Sequence, residues 1–311
     1  MTRAYRPRRS CLAVPGSSER FLVKAREVGC DEVLLDLEDA VAPDAKAAAR
    51  PNVIAALRAG GWGGRIRAVR VNDVGTPWAY RDVVDVVEAA GASLDAVVLP
   101  KVTGPSHVTW LDHLLTQIEQ AMGYEVGRIG IEAQIEDAAG LAAADEIAAS
   151  CARLESLVFG PADFMASLGM RSLTVGAPPA AYPGDAFHYA HLRILVAARS
   201  RGLAAIDGPY ARIGDADGLA ASATSVAALG YDGKWVIHPG QIETVNEAFT
   251  PAAAEYERAE RILEAYQQAT GQQRGAATLD GEMIDEATRK LAQAAAVKGR
   301  AAGLARPPRE S

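Results

Sequence analysis

The amino-acid sequence predicts an α/β fold, a closed (β/α)8 barrel. Eight short apolar runs alternate with helical patterns along the chain, as successive βα units do. The runs lie at 11–14, 33–37, 66–71, 96–100, 129–135, 156–160, 203–207 and 234–238. Near-continuous apolar strands of this kind are typical of a parallel sheet that is covered by helices. An open doubly wound sheet is the alternative, because strand count alone does not establish closure.

Helical patterns fill the connections between these strands. They lie at 19–28, 44–58, 78–90, 106–122, 138–150, 187–201, 217–229 and 241–249. After Pro251 the pattern predicts a helix to about residue 269 and a final amphipathic helix over 279–301. The tail is too short to bury a core of its own. We therefore expect a catalytic barrel over residues 1–250 and a C-terminal helical extension over 251–311.

Composition excludes several classes of protein. The net charge of −7 over 311 residues argues against general nucleic-acid binding. No apolar run approaches the length of a membrane span, and the first strand is not followed by the GxGxxG pattern of dinucleotide-binding proteins. The cysteines at positions 11, 30 and 151 are odd in number and widely spaced. This usage predicts reduced thiols in a cytoplasmic protein.

Two carboxylates end consecutive predicted strands. Glu136 follows the run 129–135, and Asp163 follows the run 156–160, 27 residues later. The carboxyl ends of parallel strands share one edge, where sites of α/β proteins are built. Two carboxylates with few other hard ligands suit a Mg²⁺ ion that keeps waters and accepts a chelating substrate. The alternative is one ordinary surface acid at each strand end.

Other charged residues follow the predicted strands. Arg70 could bind a substrate carboxylate in a bidentate pair or form a structural ion pair with the acids of "LDLEDAV". In that segment Glu38 lies near the strand end and Asp39 begins the loop. Lys101 in "LPKV" is expected to have a structural or electrostatic role rather than to form a Schiff base.

The loop after the first strand opens a helix with two cations on one face. Arg20 and Lys24 are spaced i, i+4 behind the capping serines of "VPGSSERFLVKA". A helix start with this charge could bind phosphate groups. A solvated helix face is the alternative.

Several motifs together resemble one known superfamily. They are "RSCLAVPGSSERFLVKA", "LLDLEDAVAPDAK", "RVN", "LPKV", "QIEDAAGL", "FGPADFMASLGM", "AIDGPY" and "GYDGKWVIHPGQIETVNEAFTP". In this order they resemble the HpcH/HpaI aldolase and citrate lyase beta-subunit superfamily, and more closely its malyl-CoA, methylmalyl-CoA and citramalyl-CoA lyases. The resemblance extends over about residues 9–298.

The resemblance implies a TIM barrel with a C-terminal lid, assembled as a homotrimer or homohexamer. It implies Mg²⁺, or Mn²⁺ in its place, held by Glu136 and Asp163. Arg70 would bind the carboxylate of a 2-oxo acid. The other residues it implicates are Glu38 and Asp39 beside the metal ligands, and Arg9, Arg20 and Lys24 near the phosphates of coenzyme A (CoA).

The resemblance also implicates the "G-x-MID" segment near the C-terminus. In relatives this segment closes over the barrel mouth of a neighbouring subunit, and its aspartate, here Asp285, transfers the proton. The alternative is that Asp285 only caps its own helix. One departure from the family pattern is Asp137, which stands where many relatives have threonine after the metal-binding glutamate.

The resemblance implies a Mg²⁺-dependent lyase for a 3-hydroxyacyl-CoA such as malyl-CoA, β-methylmalyl-CoA or citramalyl-CoA. The products would be acetyl-CoA or propionyl-CoA with glyoxylate or pyruvate. Three alternatives stay open: a malyl-CoA thioesterase, a citrate lyase beta-type subunit that acts on an acyl-carrier thioester, and a non-catalytic acyl-CoA-binding protein. The Gly/Pro-rich segment 171–185 is expected to shape the substrate pocket.

Overall fold

Parallel strands form a closed barrel in the computed structural model, which describes residues 5–176 and 182–306. Within these residues the barrel strands β1 to β8 are Ser10–Pro15, Glu32–Asp36, Ile66–Arg70, Ala96–Leu99, Gly130–Ile135, Leu154–Phe159, Ala204–Asp207 and Gly233–Val236. Each strand pairs with the next, and β1 also pairs with β8 through the register Ser10 to Lys234. The predicted barrel is therefore confirmed, and the open sheet is excluded.

Helices α1 to α12 lie between and after these strands. In the described residues they are Glu19–Lys24, Lys46–Arg58, Ala79–Ala90, Pro105–Met122, Ala138–Ala142, Ala144–Ala148, Pro161–Ser167, His188–Ser200, Ala216–Leu229, Ile242–Phe249, Ala253–Gly271 and Glu286–Ala301. The short α7 after β6 was not predicted. No helix in the described part of the chain is long and apolar enough to cross a membrane.

The inward faces of the strands form a packed barrel core. Cys11, Leu34, Val98, Val158 and Trp235 are among the buried residues that cluster there. Because side chains alternate along a strand, residues two and four positions further on point inward again. On β2 and β3 these inward rows lead from Leu34 to Asp36 and from Ala68 to Arg70, so polar side chains stand at the carboxyl ends of these strands, at the barrel mouth.

The opposite end of the barrel contains a buried ionic cluster. Glu32 and Glu132 are fully buried, and Arg8 Nε donates to Glu32 Oε2 at 3.0 Å and lies 3.2 Å from Glu132 Oε1. Arg8 also pairs with Glu155. Burial, and next the neighbouring carboxyl of Glu132, raise the pKa of Glu32 to about 8. The N-terminal end of the barrel thus holds buried acids that one arginine does not fully compensate.

The chain divides into two compact units between Asn246 and Glu247, whereas the sequence analysis placed the division after residue 250. The first unit is the barrel, which begins at Arg8. The second unit contains α11, α12 and an antiparallel hairpin of strands β9 (Ala277–Leu279) and β10 (Glu282–Ile284).

The hairpin corrects one sequence prediction, since a helix was expected to start at residue 279. Asp280 and Gly281 both adopt positive φ, 51° and 81°, as a two-residue hairpin turn requires. Helix α12 therefore begins only at Glu286. Ile284 at the end of the hairpin packs with Tyr256 of α11 and with α12 in the core of this unit.

Candidate active site

The barrel mouth gathers the polar residues that follow strands β2 to β6. They are Asp36, Glu38 and Asp39 after β2, Arg70 at the end of β3, Lys101 after β4, Glu136 after β5 and Asp163 in the first turn of α7 after β6. The carboxyl ends of neighbouring parallel strands bring these residues together.

Glu136 is buried and held by two hydrogen bonds. Its Oε1 accepts from the backbone N–H of Lys101 at 2.6 Å, and its Oε2 accepts from Gln134 Nε2 at 2.6 Å. Gly160 leaves the space that this carboxylate fills, because a Cβ there would lie 2.5 Å from Glu136 Cβ. Burial raises the pKa of Glu136 to about 8, although the Lys101 N–H and Arg70 oppose this effect.

Asp163 is the exposed partner of this buried glutamate. Its side chain is 41% exposed, and its Oδ2 lies 3.9 Å from Lys101 Nζ. The charge of Asp163 is one of the causes that raise the pKa of Glu136, so the two acids share one electrostatic environment.

This pair of carboxylates fits a divalent cation. A buried acid whose charge is disfavoured gains most from a cation beside it, and an exposed second acid leaves room for water and substrate. In the described residues no group of three or more His, Cys, Asp and Glu side chains is arranged to hold a metal. The donor set therefore suits an open magnesium site with two protein ligands better than a closed structural site.

Arg70 is anchored by an acid of the same mouth. Its Nε donates to Asp36 Oδ1 at 2.8 Å, its Nη2 donates to Asp36 Oδ2 at 2.6 Å, and its Nη1 lies 3.2 Å from Glu38 Oε2. The guanidinium also lies 5.3 Å from the centre of the Trp235 ring. Burial disfavours its charge, yet the Asp36 carboxylate holds the pKa of Arg70 above its usual range. The structural ion pair considered above is therefore formed.

Lys101 contacts three acids of the mouth, which follow two different strands. Its ammonium pairs with Glu38, lies 3.3 Å from Asp39 Oδ1 and 3.9 Å from Asp163 Oδ2. Lys101 adopts a φ of 52°, in the left-handed region that is unusual for a residue with a side chain. The electrostatic role expected from the sequence is consistent with these ion pairs, whereas contact with three acids was not predicted.

A second lysine fixes the loop that carries Glu38 and Asp39. Lys46 Nζ donates to the carbonyl oxygens of Leu37 at 3.1 Å and Glu38 at 2.7 Å. Lys46 is buried and lies 5.7 Å from the centre of the Trp78 ring. The sequence carried no signal for this contact, because Lys46 lies inside an ordinary helical pattern.

The three basic residues expected near CoA do not lie together. Arg20 and Lys24 lie exposed on α1, after β1, where Arg20 stacks 5.9 Å from the Phe21 ring centre. Arg9 precedes β1, and its side chain donates to both carboxylate oxygens of Asp31 at 2.8 Å. A strand of six residues spans about 20 Å, so Arg9 belongs to the opposite end of the barrel. This position, and the pairing with Asp31, argue against a contact of Arg9 with CoA beside Arg20 and Lys24.

Two aspartates singled out in the sequence cap helices. Asp137 Oδ1 accepts from Gly140 N at 2.6 Å, so the acid that departs from the family pattern is held as the N-cap of α5. Asp285, in the second unit, caps α12 through Thr288 N at 2.9 Å. This hydrogen bond holds the pKa of Asp285 below its usual value. Part of the pocket-shaping segment, residues 177–181, lies outside the described residues.

Comparison with known proteins gives consistent results. Residues 9–239 match the family described as HpcH/HpaI aldolase/citrate lyase. The chain is 40% identical over 297 residues to the L-malyl-CoA/beta-methylmalyl-CoA lyase of Cereibacter sphaeroides, with 93% of each chain covered. It is 36% identical over 303 residues to the (3S)-malyl-CoA thioesterase of the same species, with 96% of this chain and 98% of the relative covered.

Solved structures of related proteins have the same fold. Protein CitE of Mycobacterium tuberculosis, in complex with magnesium, acetoacetate and coenzyme A, matches with a TM-score of 0.72 and 29% identity, over 96% of this chain and 98% of that chain. A citrate lyase from Burkholderia xenovorans LB400 matches with a TM-score of 0.80 at 23% identity, over 98% of this chain and 94% of that chain. The second likeness supports the fold alone.

Proposed function

The chain belongs to the HpcH/HpaI aldolase/citrate lyase family, a family of lyases, and from that premise we propose that it is a magnesium-dependent lyase for a 3-hydroxyacyl-CoA. The substrate carries a carboxylate on the carbon that bears the hydroxyl, as in malyl-CoA, β-methylmalyl-CoA or citramalyl-CoA. The products are acetyl-CoA or propionyl-CoA and a 2-oxo acid, glyoxylate or pyruvate.

The observation that carries this proposal is the 40% identity, over 93% of both chains, to a lyase named for L-malyl-CoA and beta-methylmalyl-CoA. The pairing of a buried Glu136 with an exposed Asp163 at adjacent strand ends supports it, because this donor set suits Mg²⁺ with an open side. If Glu136 and Asp163 hold Mg²⁺, the ion would supply Lewis-acid stabilisation for the negative charge on the substrate oxygen that becomes the oxo group.

Arg70 is the residue that holds the carboxylate of the oxo acid in this proposal. A guanidinium has five N–H donors. Asp36 accepts from Nε and Nη2, and Glu38 lies beside Nη1, which leaves one N–H on Nη1 and one on Nη2 for the substrate carboxylate. Because Asp36 fixes the guanidinium in place, substrate binding does not have to order a flexible side chain. The ion pair and the substrate role are therefore compatible.

The reaction breaks the bond between the hydroxyl-bearing carbon and the carbon next to the thioester carbonyl. A base takes the proton of the hydroxyl, the oxygen becomes the oxo group, and the electron pair of the broken bond forms the enolate of the acyl-CoA. An acid then protonates the enolate carbon. We assign this proton transfer to Asp285 of a neighbouring subunit. Its pKa lies below the usual value, so the carboxylate is ionised at first and takes up the proton that the hydroxyl releases before it protonates the enolate. In the reverse direction the ionised carboxylate removes the proton from the acyl-CoA.

Binding of the CoA phosphates falls to α1 in this proposal. Arg20 and Lys24 are exposed on that helix, beside the exposed ring of Phe21. Cations at this position attract phosphate groups without a dedicated pocket. The assembly as a homotrimer or homohexamer and the cytoplasmic location predicted from the three cysteines remain part of the proposal.

A thioesterase is the second candidate function. The 36% identity to a (3S)-malyl-CoA thioesterase over 96% of this chain favours it. In that case the thioester bond is hydrolysed, and malate with free CoA replaces acetyl-CoA with glyoxylate. Membership of the HpcH/HpaI aldolase/citrate lyase family keeps a carrier-dependent beta-type subunit as a third outcome.

A product assay separates these functions. The purified protein is incubated with malyl-CoA, β-methylmalyl-CoA and citramalyl-CoA, with Mg²⁺ or with EDTA, and acetyl-CoA, propionyl-CoA, free CoA and the oxo acids are measured. Acyl-CoA with one oxo acid, lost on chelation, supports the lyase. Free CoA without an oxo acid supports the thioesterase, and no product from any of these esters points to a carrier-bound substrate.

The metal assignment has its own test. Glu136→Ala and Asp163→Ala should each abolish Mg²⁺-dependent turnover while the far-UV circular dichroism spectrum stays that of a folded barrel. Asp145→Ala is the matched control, because Asp145 is a carboxylate on α6 that pairs with Arg193 outside the mouth. Metal-dependent activity retained in either site variant would remove that residue from the ligand set.

A further inference from the structure

Lys101 touches both proposed metal ligands, and it does so with different parts of the residue. Its backbone N–H donates to Glu136 Oε1 at 2.6 Å, while its ammonium lies 3.9 Å from Asp163 Oδ2. The same ammonium pairs with Glu38 and lies 3.3 Å from Asp39 Oδ1. One side chain thus lies between the acids after β2 and the acid after β6.

The backbone of Lys101 has an unfavourable conformation that its contacts hold in place. A φ of 52° is costly for a residue with a Cβ, and such conformations persist where surrounding contacts hold them in place. The hydrogen bond to Glu136 and the ion pair with Glu38 supply those contacts.

The charges around Lys101 do not balance. Arg70 is matched by the bidentate carboxylate of Asp36, and its Nη1 also lies 3.2 Å from Glu38 Oε2, so two acids share this guanidinium. The single ammonium of Lys101 therefore faces Glu38, Asp39 and Asp163 together. A divalent cation held by Glu136 and Asp163 would lie close to this ammonium and be repelled by it.

Glu38 and Asp39 would also be metal ligands if nothing held them. They are carboxylates of the same mouth, and hard divalent cations prefer such oxygens. The ammonium of Lys101 contacts both acids, and Arg70 Nη1 also lies beside Glu38. With these acids held away, a metal would keep coordination positions for water and for the hydroxyl and carboxylate of the substrate.

We propose that Lys101 is a positioning residue that keeps Glu38 and Asp39 off the metal and holds the metal weakly enough for the substrate to complete its coordination. The inference rests on the proposed metal site and adds a determinant of metal affinity to it. It makes an unusual prediction, because removal of the ammonium should strengthen metal binding and impair catalysis at the same time.

The test compares Mn²⁺ binding and turnover in wild type, Lys101→Met and Lys101→Arg. Methionine keeps the length of the side chain and the backbone N–H but removes the charge, and arginine keeps the charge. We expect Lys101→Met to bind Mn²⁺ about tenfold more tightly by electron paramagnetic resonance titration, from the repulsion of nearby charges. We expect its kcat to fall at least about tenfold, and Lys101→Arg to stay near wild type in Mn²⁺ affinity.

Misfolding would lower both metal affinity and kcat, so the opposite signs of the two effects identify the positioning role. Lys290→Met is the matched control, because it removes the same charge from an exposed position on α12 and should leave Mn²⁺ affinity unchanged. Lys101→Gln is a second uncharged variant in case the methionine variant does not fold.

Unchanged or weaker Mn²⁺ binding in the uncharged variants overturns the inference and leaves the metal site standing. Absence of Mn²⁺ binding in the wild type overturns both the inference and the proposed metal site. Tighter Mn²⁺ binding with undiminished kcat overturns the claim that Glu38 and Asp39 must be kept off the metal.

Discussion

Replacement of Glu32 by glutamine should stabilise the protein, and the gain should grow with pH. Glu32 is fully buried at the N-terminal end of the barrel, and burial together with Glu132 raises its pKa from 4.5 to about 8. The folded state therefore keeps this proton to a higher pH than the unfolded state. Glu32 therefore does not lower the free energy of unfolding of the wild type below about pH 4.5. As the pH rises through about 8, that free energy falls because the folded state resists losing the proton.

The size of the effect follows from this interval. Between pH 4.5 and pH 8 the buried acid lowers the free energy of unfolding by up to roughly 5 kcal/mol, at about 1.4 kcal/mol for each pH unit. Glutamine resembles the protonated acid, and Arg8 keeps Glu132 and Glu155 as partners. Relaxation around buried charges lowers the limit, so we expect a gain of about 2–4 kcal/mol at pH 8 and less than about 1 kcal/mol at pH 5.

Urea unfolding followed by far-UV circular dichroism at both pH values, at constant ionic strength, measures this difference. Glu119→Gln is the control, because Glu119 is equally buried but accepts from Gly127 N, Ile129 N and Arg153 Nη1. An amide cannot replace all these contacts, so this variant should lose stability at both pH values. A Glu32→Gln protein less stable than wild type at pH 8, or a gain independent of pH, would refute the reasoning.

Three further predictions concern the mouth, the tail and α1. Gly160→Ala places a Cβ 2.5 Å from Glu136 Cβ and should weaken Mn²⁺ binding about tenfold or more in the same titration, so unchanged affinity would show that Glu136 does not depend on this space. Asp285→Ser keeps a helix-capping side chain and removes the carboxyl, so kcat should fall about 100-fold while the melting temperature and Mn²⁺ affinity stay constant. An undiminished kcat would assign the proton transfer elsewhere. Arg20→Ala and Lys24→Ala should each raise KM for the CoA ester about three- to tenfold at low salt, and less at high salt because salt screens exposed charges. A KM equal to that of the wild type at low salt would show that α1 does not bind CoA.

The sequence pattern predicted the strands well because their residues are buried on both faces and read as continuous apolar runs. Barrel closure could not be predicted in the same way, since it depends on the pairing of Ser10 with Lys234, which no local pattern reports. The hairpin in the tail was missed although its signal was present. Asp280-Gly281 is a favoured two-residue turn, and the apolar residues around it were read as the start of a helix.

The site residues that lie at or just after strand ends could be predicted from the sequence, because the strands themselves could be. Glu136 lies at a strand end and Asp163 just after one, and the structure brings both into one mouth. The ion pairs of the Lys101 ammonium join residues more than sixty positions apart. The residue also has a left-handed backbone conformation. No local sequence pattern indicates either feature. Arg9 directly precedes β1, and the family motif that contains it does not show at which end of the barrel such a residue lies.

Closure of the barrel through its first and last strands also affects how the chain can fold during synthesis. Strand β1 leaves the ribosome first, but one of its edges is paired only when β8 has been made. Ser10 Oγ then donates to Asn246 Oδ1, 236 residues further along the chain. Until that point the nascent chain exposes unpaired edge strands, which are prone to pair with other chains. Nascent chains that end before β8 should therefore depend strongly on chaperones and aggregate when chaperones are scarce.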